Sequence, residues 1–185
     1  KKLKLPGTII KSLKTGVINS DLIIFCTPMS AYEELILKIN NFILPKTLIT
    51  DIGSSKIETS KIIKKFLKKG IHWTQSHPIT GSEVSGPEHG KDNIFEKKWC
   101  IIIKDKNTSK SNLNTLTKFW KKIGSKVVVM SPEKHDRIFS MTSHLPHLIA
   151  YNLVKSAQDF EKNQKYNLIK YSAGGLRDFS RIAAS

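Results

Sequence analysis

Short apolar runs alternate with amphipathic helical patterns along most of the 185-residue chain. "DLIIFCT" (21–27) is a continuous apolar run of strand length that ends at Thr27-Pro28. Behind it, Tyr32, Leu35, Ile36, Ile39 and Ile43 recur at helical spacing in "MSAYEELILKINNFI". "KTLITD" (46–51) predicts a second strand, closed by the loop "IGSS". "KIETSKIIKKFLKK" predicts a helix, with Gly70 just past its end, where a left-handed backbone commonly stops a helix. "IHWTQS" (71–76) and "KWCIIIKD" (98–105) predict the third and fourth strands. "NLNTLTKFWKKIG" predicts a helix ending at Gly124, and "KVVVMS" (126–131) a fifth strand.

Strand and helix alternating in short periods predict an α/β fold, with a mainly parallel sheet covered on both faces. Such sheets bind ligands at the carboxyl ends of their strands. Those ends are Thr27-Pro28, Asp51 to Ser55, and Ser76-His77, so three loops are expected on one edge. The pattern changes at "SPEKHDRIFSMTSHLPHLIAYNLVKSA" (131–157). Ser131 followed by Pro132 is a good helix start, and Pro146 is expected to kink the long helix beyond it. With no strand pattern after it, residues 1–130 and 131–185 read as an α/β domain and the start of an all-helical one.

The formal charge of +16 invites a nucleic-acid partner. Its make-up argues against one. Of 31 basic residues only Arg137, Arg177 and Arg181 are arginine, and the lysines sit singly or in pairs on polar helix faces. They do not interleave with aromatics as a base-stacking platform would. No apolar run approaches the roughly 20 residues that span a bilayer, and the basic start "KKLKLPGTII" lacks the long apolar region of a signal peptide. Cys26 and Cys100 lie in apolar runs and are expected to be buried, reduced thiols, which points to the cytoplasm.

Three stretches carry candidate chemistry. In "TQSHPITGSEVSG" (74–86), His77 precedes a proline, which favours extended backbone. A lone histidine is commonly a structural one bonded to a carbonyl, but a strand's carboxyl end beside the Ser54 loop favours function. In "SHLPH", His144 and His147 are three apart and share a helix face. Zinc pairs favour a spacing of four with an acidic helper. Here a proline intervenes and no acidic residue is near, so no metal is expected and a polar pocket is the better reading. His135 reads as part of its helix's first turns, with Asp136 as partner. In "GGLRDFSRIA", Arg177 and Arg181 are one turn apart, either on a solvated face with Asp178 or as a clamp for a carboxylate.

Together, "DLIIFCTP", "TDIGSSK", "HPITGSEVSG", "SPEKHDRI", "SHLPH" and "GGLRDFSRIA" resemble the prephenate and arogenate (cyclohexadienyl) dehydrogenases of tyrosine synthesis, in order and at that family's spacing. The resemblance covers nearly the whole chain. It implies a partial Rossmann-like nucleotide-binding domain, NAD or NADP as cofactor, prephenate or arogenate as substrate, and a homodimer at full length. The family's glycine-rich turn and its further dimerisation helices have no counterpart here, so the chain reads as an internal fragment. Thr80 stands where the family commonly has a small apolar residue, and is expected to add a polar contact.

The resemblance also implies roles. His77 matches the catalytic base that takes the ring hydroxyl's proton, and Ser54 the serine that supports it. Thr27, Pro28, Gly53 and Ser54 match the nicotinamide-binding strand ends. Arg181 matches the arginine that holds the ring carboxylate, and His147 a histidine of the substrate pocket, with His144 beside it. Arg177 is expected at the substrate's other end or at a neighbouring subunit. Glu83 and Asp178 are the acids expected to pair with these arginines. Two rivals stay open: another two-domain NAD(P)-dependent hydroxy-acid or imine oxidoreductase, and a basic nucleic-acid-binding module.

Overall fold

A computed structural model describes residues 7–81, 89–164 and 170–184. The chain divides into two compact units, residues 1–136 and 137–185, so His135 and Asp136 belong to the first.

Among its described residues, unit 1 has six strands. β1 (Leu22–Phe25), β2 (Leu48–Asp51) and β3 (His72–Trp73) form one parallel ladder in that order, with Leu22 opposite Leu48 and Leu48 opposite His72. β4 (Ser76–Pro78), β5 (Trp99–Ile103) and β6 (Lys126–Met130) form a second. Here β5 and β6 are parallel, but β4 runs antiparallel to β5, with His77 opposite Ile101.

The single third strand expected over 71–76 is therefore two short strands, and His77 lies within the second of them. The break falls at Thr74 and Gln75. The Thr74 N–H still donates to Ile49 O at 2.9 Å, whereas Gln75 O accepts from Ile103 N at 2.9 Å. The chain thus transfers its hydrogen bonds from β2 to β5 over two residues, and Pro78 ends the new strand, where a residue without an N–H is tolerated. The two ladders stay joined: the Ser76 hydroxyl lies 2.8 Å from Asp51 O and 2.8 Å from Thr50 Oγ1.

Alternation along the strands sends apolar side chains to both faces. Phe25 and Ile49 meet Tyr32, Ile36 and Ile39 of α2 (Tyr32–Ile39) on one side. Leu48, Cys100 and Ile102 meet Leu116 and Trp120 of α4 (Lys110–Lys122) on the other. Ile36 and Leu116 are fully buried, and truncating either to alanine is expected to cost about 2–5 kcal/mol. The helical stripe of α2 is as expected, although the helix itself ends before Ile43, which packs beyond it. A short helix, α1 (Leu13–Val17), capped by Ser12, precedes β1.

α3 (Ile57–Phe66) is shorter than its pattern predicted. It ends at Leu67 in extended backbone, so Gly70, with φ +86°, shapes the turn into β3 and does not cap the helix. Gly124 behaves as expected, with φ +93° just past α4. α5 (Pro132–Phe139) follows β6 directly.

Unit 2 is helical. A π-helical turn (Ser140–His144) precedes α6 (Leu145–Gln164), and α7 (Gly174–Ala183) packs against α6. The disturbance expected from Pro146 takes this form: proline lacks the N–H that the α-helical ladder needs, and the turn before it closes in the wider register. Among the described residues no helix is long and apolar enough to cross a membrane.

Candidate functional site

The carboxyl ends of β1 and β2 open on one edge of the sheet because the two strands are parallel. Thr27, Pro28 and Ser54 are exposed there. Gly53 tightens the turn: a Cβ at this position would lie 3.0 Å from Met29 Cγ and 3.1 Å from Asp51 Oδ2. Ser76 lies beside Asp51, the last residue of β2, so His77 follows on the same edge.

Beneath that edge lies a polar network that the sequence did not announce. Asp51 is fully buried, and its carboxylate accepts from Lys56 Nζ at 2.7 Å, Gly53 N at 3.1 Å and Trp73 Nε1 at 3.1 Å. Lys56 is also fully buried, and its ammonium donates a second time, to Ser76 O at 2.7 Å. Burial pulls the Lys56 pKa down, while the Asp51 carboxylate acts to raise it.

His77 is half-buried, and its Nδ1 lies 2.8 Å from Nε2 of His135. His135 is completely buried. Its Nδ1 lies 2.7 Å from Asp136 Oδ1, so the expected pairing of these two neighbours is present. Asp136 in turn accepts from Lys56 N at 2.9 Å and Ile57 N at 2.8 Å, capping α3 from a distant part of the chain. Lys56, the residue at the helix's own cap position, has no side-chain acceptor to do so. Burial alone would raise the Asp136 pKa, but the Ile57 N–H, the His135 ring and the Lys56 N–H together hold it below the ordinary carboxylate value. Thr80 makes the polar contact expected of it, donating to Ile94 O at 2.7 Å.

The cysteines differ from expectation in one respect. Both are unbridged, but Cys26 is exposed and only Cys100 is buried. Burial pushes the Cys100 thiol up to about 12, and burial with the nearby Asp51 carboxylate raises Cys26.

The remaining predicted residues belong to unit 2 or lie outside the described residues. His144 is exposed, and half-buried His147 points Nδ1 at Ser143 O of its own helix, at 2.8 Å. Arg177, Asp178 and Arg181 are exposed on α7. Arg177 lines a cavity of about 280 Å³ with Val154, Ala157, Lys170, Leu176 and Ser180. Glu83 lies outside the described residues. Among the described residues, no group of three or more His, Cys, Asp or Glu is placed to hold a metal ion. A larger cavity in unit 1, about 630 Å³ and lined by Lys61, Lys64, Lys104, Lys106 and Ser131 among others, takes in none of the predicted residues.

Sequence reasoning missed Asp51, Lys56 and the link from His135 to His77. An acid and a lysine five residues apart in "TDIGSSK", directly after an apolar strand, were the available signal for the first two. Nothing in the sequence places His135 beside a residue 58 positions earlier.

Residues 7–129 match the family model described as the nucleotide-binding domain of prephenate dehydrogenase, and residues 131–185 match its dimerization domain. A cyclohexadienyl dehydrogenase from Zymomonas mobilis is 32% identical over 183 residues, covering 99% of this chain and 62% of the relative. A prephenate dehydrogenase from Bacillus subtilis is 34% identical over 179 residues, covering 94% of this chain and 47% of the relative. The solved prephenate dehydrogenase from A. aeolicus, in complex with hydroxyphenyl propionate and NAD+, superposes with a TM-score of 0.82 at 34% identity. That match covers 89% of this chain and 57% of the solved one. The chain thus spans between about half and three-fifths of the length of these relatives.

Proposed function

Because the chain belongs to the prephenate dehydrogenase family, we propose that the protein carrying it oxidises and decarboxylates prephenate, arogenate or both, with NAD or NADP as the hydride acceptor. The observation that carries this reading is His77 on the carboxyl edge of the sheet, with its Nδ1 committed to the buried His135. The proton transfer is then assigned to the other ring nitrogen, Nε2.

The exposed Thr27 and Pro28 after β1, with the exposed Ser54 on the turn that Gly53 tightens after β2, fit a flat ring lying against the strand ends. They would hold the nicotinamide end of the cofactor, which supplies the hydride acceptor when bound. His77 Nε2 takes the proton of the substrate's ring hydroxyl as hydride leaves the same carbon, so a carbonyl forms there. Ser54 hydrogen-bonds that hydroxyl and holds it toward His77. The ring carboxylate leaves as carbon dioxide, its bonding pair enters the ring, the carbonyl π pair moves onto the oxygen, and that oxygen takes back the proton from His77 as the ring becomes aromatic. A base positioned in this way is worth roughly 10²–10⁴ in rate.

Arg181 holds the ring carboxylate through two parallel hydrogen bonds, and His147 and His144 contribute to the substrate pocket. Arg177 serves the substrate's other end or a second subunit. Glu83 and Asp178 pair with the arginines when substrate is absent. The full-length protein acts as a homodimer, a reading supported by the dimerization-domain match. The test is hydride transfer by the full-length protein with each substrate and each cofactor; failure of all four combinations would refute the reading.

A further inference from the structure

Three side chains in series connect the proposed base to the start of α3. His77 Nδ1 meets His135 Nε2 at 2.8 Å, and His135 Nδ1 meets Asp136 Oδ1 at 2.7 Å. The Asp136 carboxylate also accepts the Lys56 and Ile57 N–H groups. Every contact Asp136 makes in this set is as an acceptor, as suits an ionised carboxylate.

With the His135 ring neutral, the direction of each hydrogen bond follows. A carboxylate can only accept, so the proton between His135 and Asp136 is on His135 Nδ1. A neutral imidazole has one protonated nitrogen, so His135 Nε2 carries a lone pair. It must therefore accept, and the proton between the two rings belongs to His77 Nδ1. This one assignment satisfies both nitrogens of the fully buried His135 ring. It also leaves the lone pair of His77 on Nε2.

We propose that His135 and Asp136 are positioning residues that fix His77 as the Nδ1–H tautomer, so that Nε2 is the basic nitrogen. Asp136 has a second task in the same device. By capping α3 at Lys56 and Ile57 it pins the far end of the turn that carries Ser54. Ser54 and His77 are thus referred to one carboxylate, and the tautomer and the placement of the serine are set together. The inference deepens the dehydrogenase reading and rests on it for the role of Nε2, but the tautomer itself is a property of the protein without substrate.

The experiment is nitrogen NMR of the histidine rings in the full-length protein, with the His77 signals assigned by their loss in His77→Asn. The expected wild-type spectrum shows a protonated Nδ1 and an unprotonated Nε2 on His77 at neutral pH. In Asp136→Asn the Nε2–H form gains population, and kcat falls at least tenfold, towards the roughly 10⁴-fold loss found where a carboxylate that orients a catalytic histidine is neutralised. KM stays within about threefold, because neither positioning residue touches substrate. A wild-type His77 protonated at Nε2 overturns the proposal, as does an Asp136→Asn protein with an unchanged tautomer and a kcat within twofold of wild type. Should that variant fail to fold, the wild-type spectrum decides alone. An enzyme inactive on both substrates but showing the expected tautomer would sink the proposed function and leave the tautomer assignment standing.

Discussion

The buried ammonium of Lys56 donates to the carbonyl oxygen of Ser76 at 2.7 Å, one residue before His77. The same ammonium reaches Asp51 at the end of β2, also at 2.7 Å. One side chain therefore fixes the strand that bears His77 against the strand that leads to Ser54.

Removing Lys56 should be costly. Lys56→Met leaves the fully buried Asp51 without its cationic partner, and breaking one side of such a pair typically costs about 3–5 kcal/mol. Chemical denaturation of the variant should show a loss of that size, and Asp51→Asn added to Lys56→Met should recover part of it. A loss under about 1 kcal/mol would mean that the pair does not hold the two strands together.

His77→Asn should lower kcat by about 10²–10⁴ while leaving substrate affinity nearly intact. Steady-state kinetics of the full-length protein separate the two effects. Weakened binding with normal turnover would remove the base role.

Arg181→Lys should raise KM by about 10- to 100-fold, since lysine cannot make the paired contact that a guanidinium offers a carboxylate. An unchanged KM would dismiss the clamp.

Asp136 predicts a pH dependence with a definite sign. Its folded pKa lies below the ordinary value, so the unfolded chain takes up a proton first as the solution is acidified. The stability it contributes is complete above the ordinary carboxylate range and is lost as pH falls through its lowered folded value. Melting temperatures of wild type and Asp136→Asn should therefore converge as the solution is acidified from neutral pH through and below the ordinary carboxylate range. A gap that stays constant over that range would contradict the shift.

The two thiols should react unequally. Cys26 is exposed, whereas Cys100 is buried with its thiol pushed up to about 12. A thiol reagent should label Cys26 in the native protein and reach Cys100 only on unfolding, read by mass after digestion. Equal labelling in the native state would show that the β5 core is open to solvent.

The sequence was informative wherever periodicity or turn chemistry acts locally. The apolar runs at β1, β2, β5 and β6 and the stripe Tyr32, Ile36, Ile39 are such cases, and Gly124 marked its helix end because a left-handed residue was needed there. What escaped was tertiary. "IHWTQS" is a uniform strand pattern, and only its neighbours decide that it passes from β2 to β5 at Thr74 and Gln75. α3 offered no capping residue of its own because Asp136 supplies the cap from 80 residues away. The buried Lys56 resembled its solvated lysine neighbours in composition and differs only in having Asp51 and Ser76 around it. Cys26 sat in an apolar run but falls past the end of β1, where that run meets solvent.

The most direct test of the central claim is reduction of NAD and NADP by the full-length protein, followed by absorbance with prephenate and with arogenate, wild type beside His77→Asn. Cofactor reduction by the wild type with at least one substrate, matched by carbon dioxide release and reduced at least about a hundredfold in His77→Asn, is the predicted result. No cofactor reduction with either substrate, or equal rates in the two proteins, would contradict it.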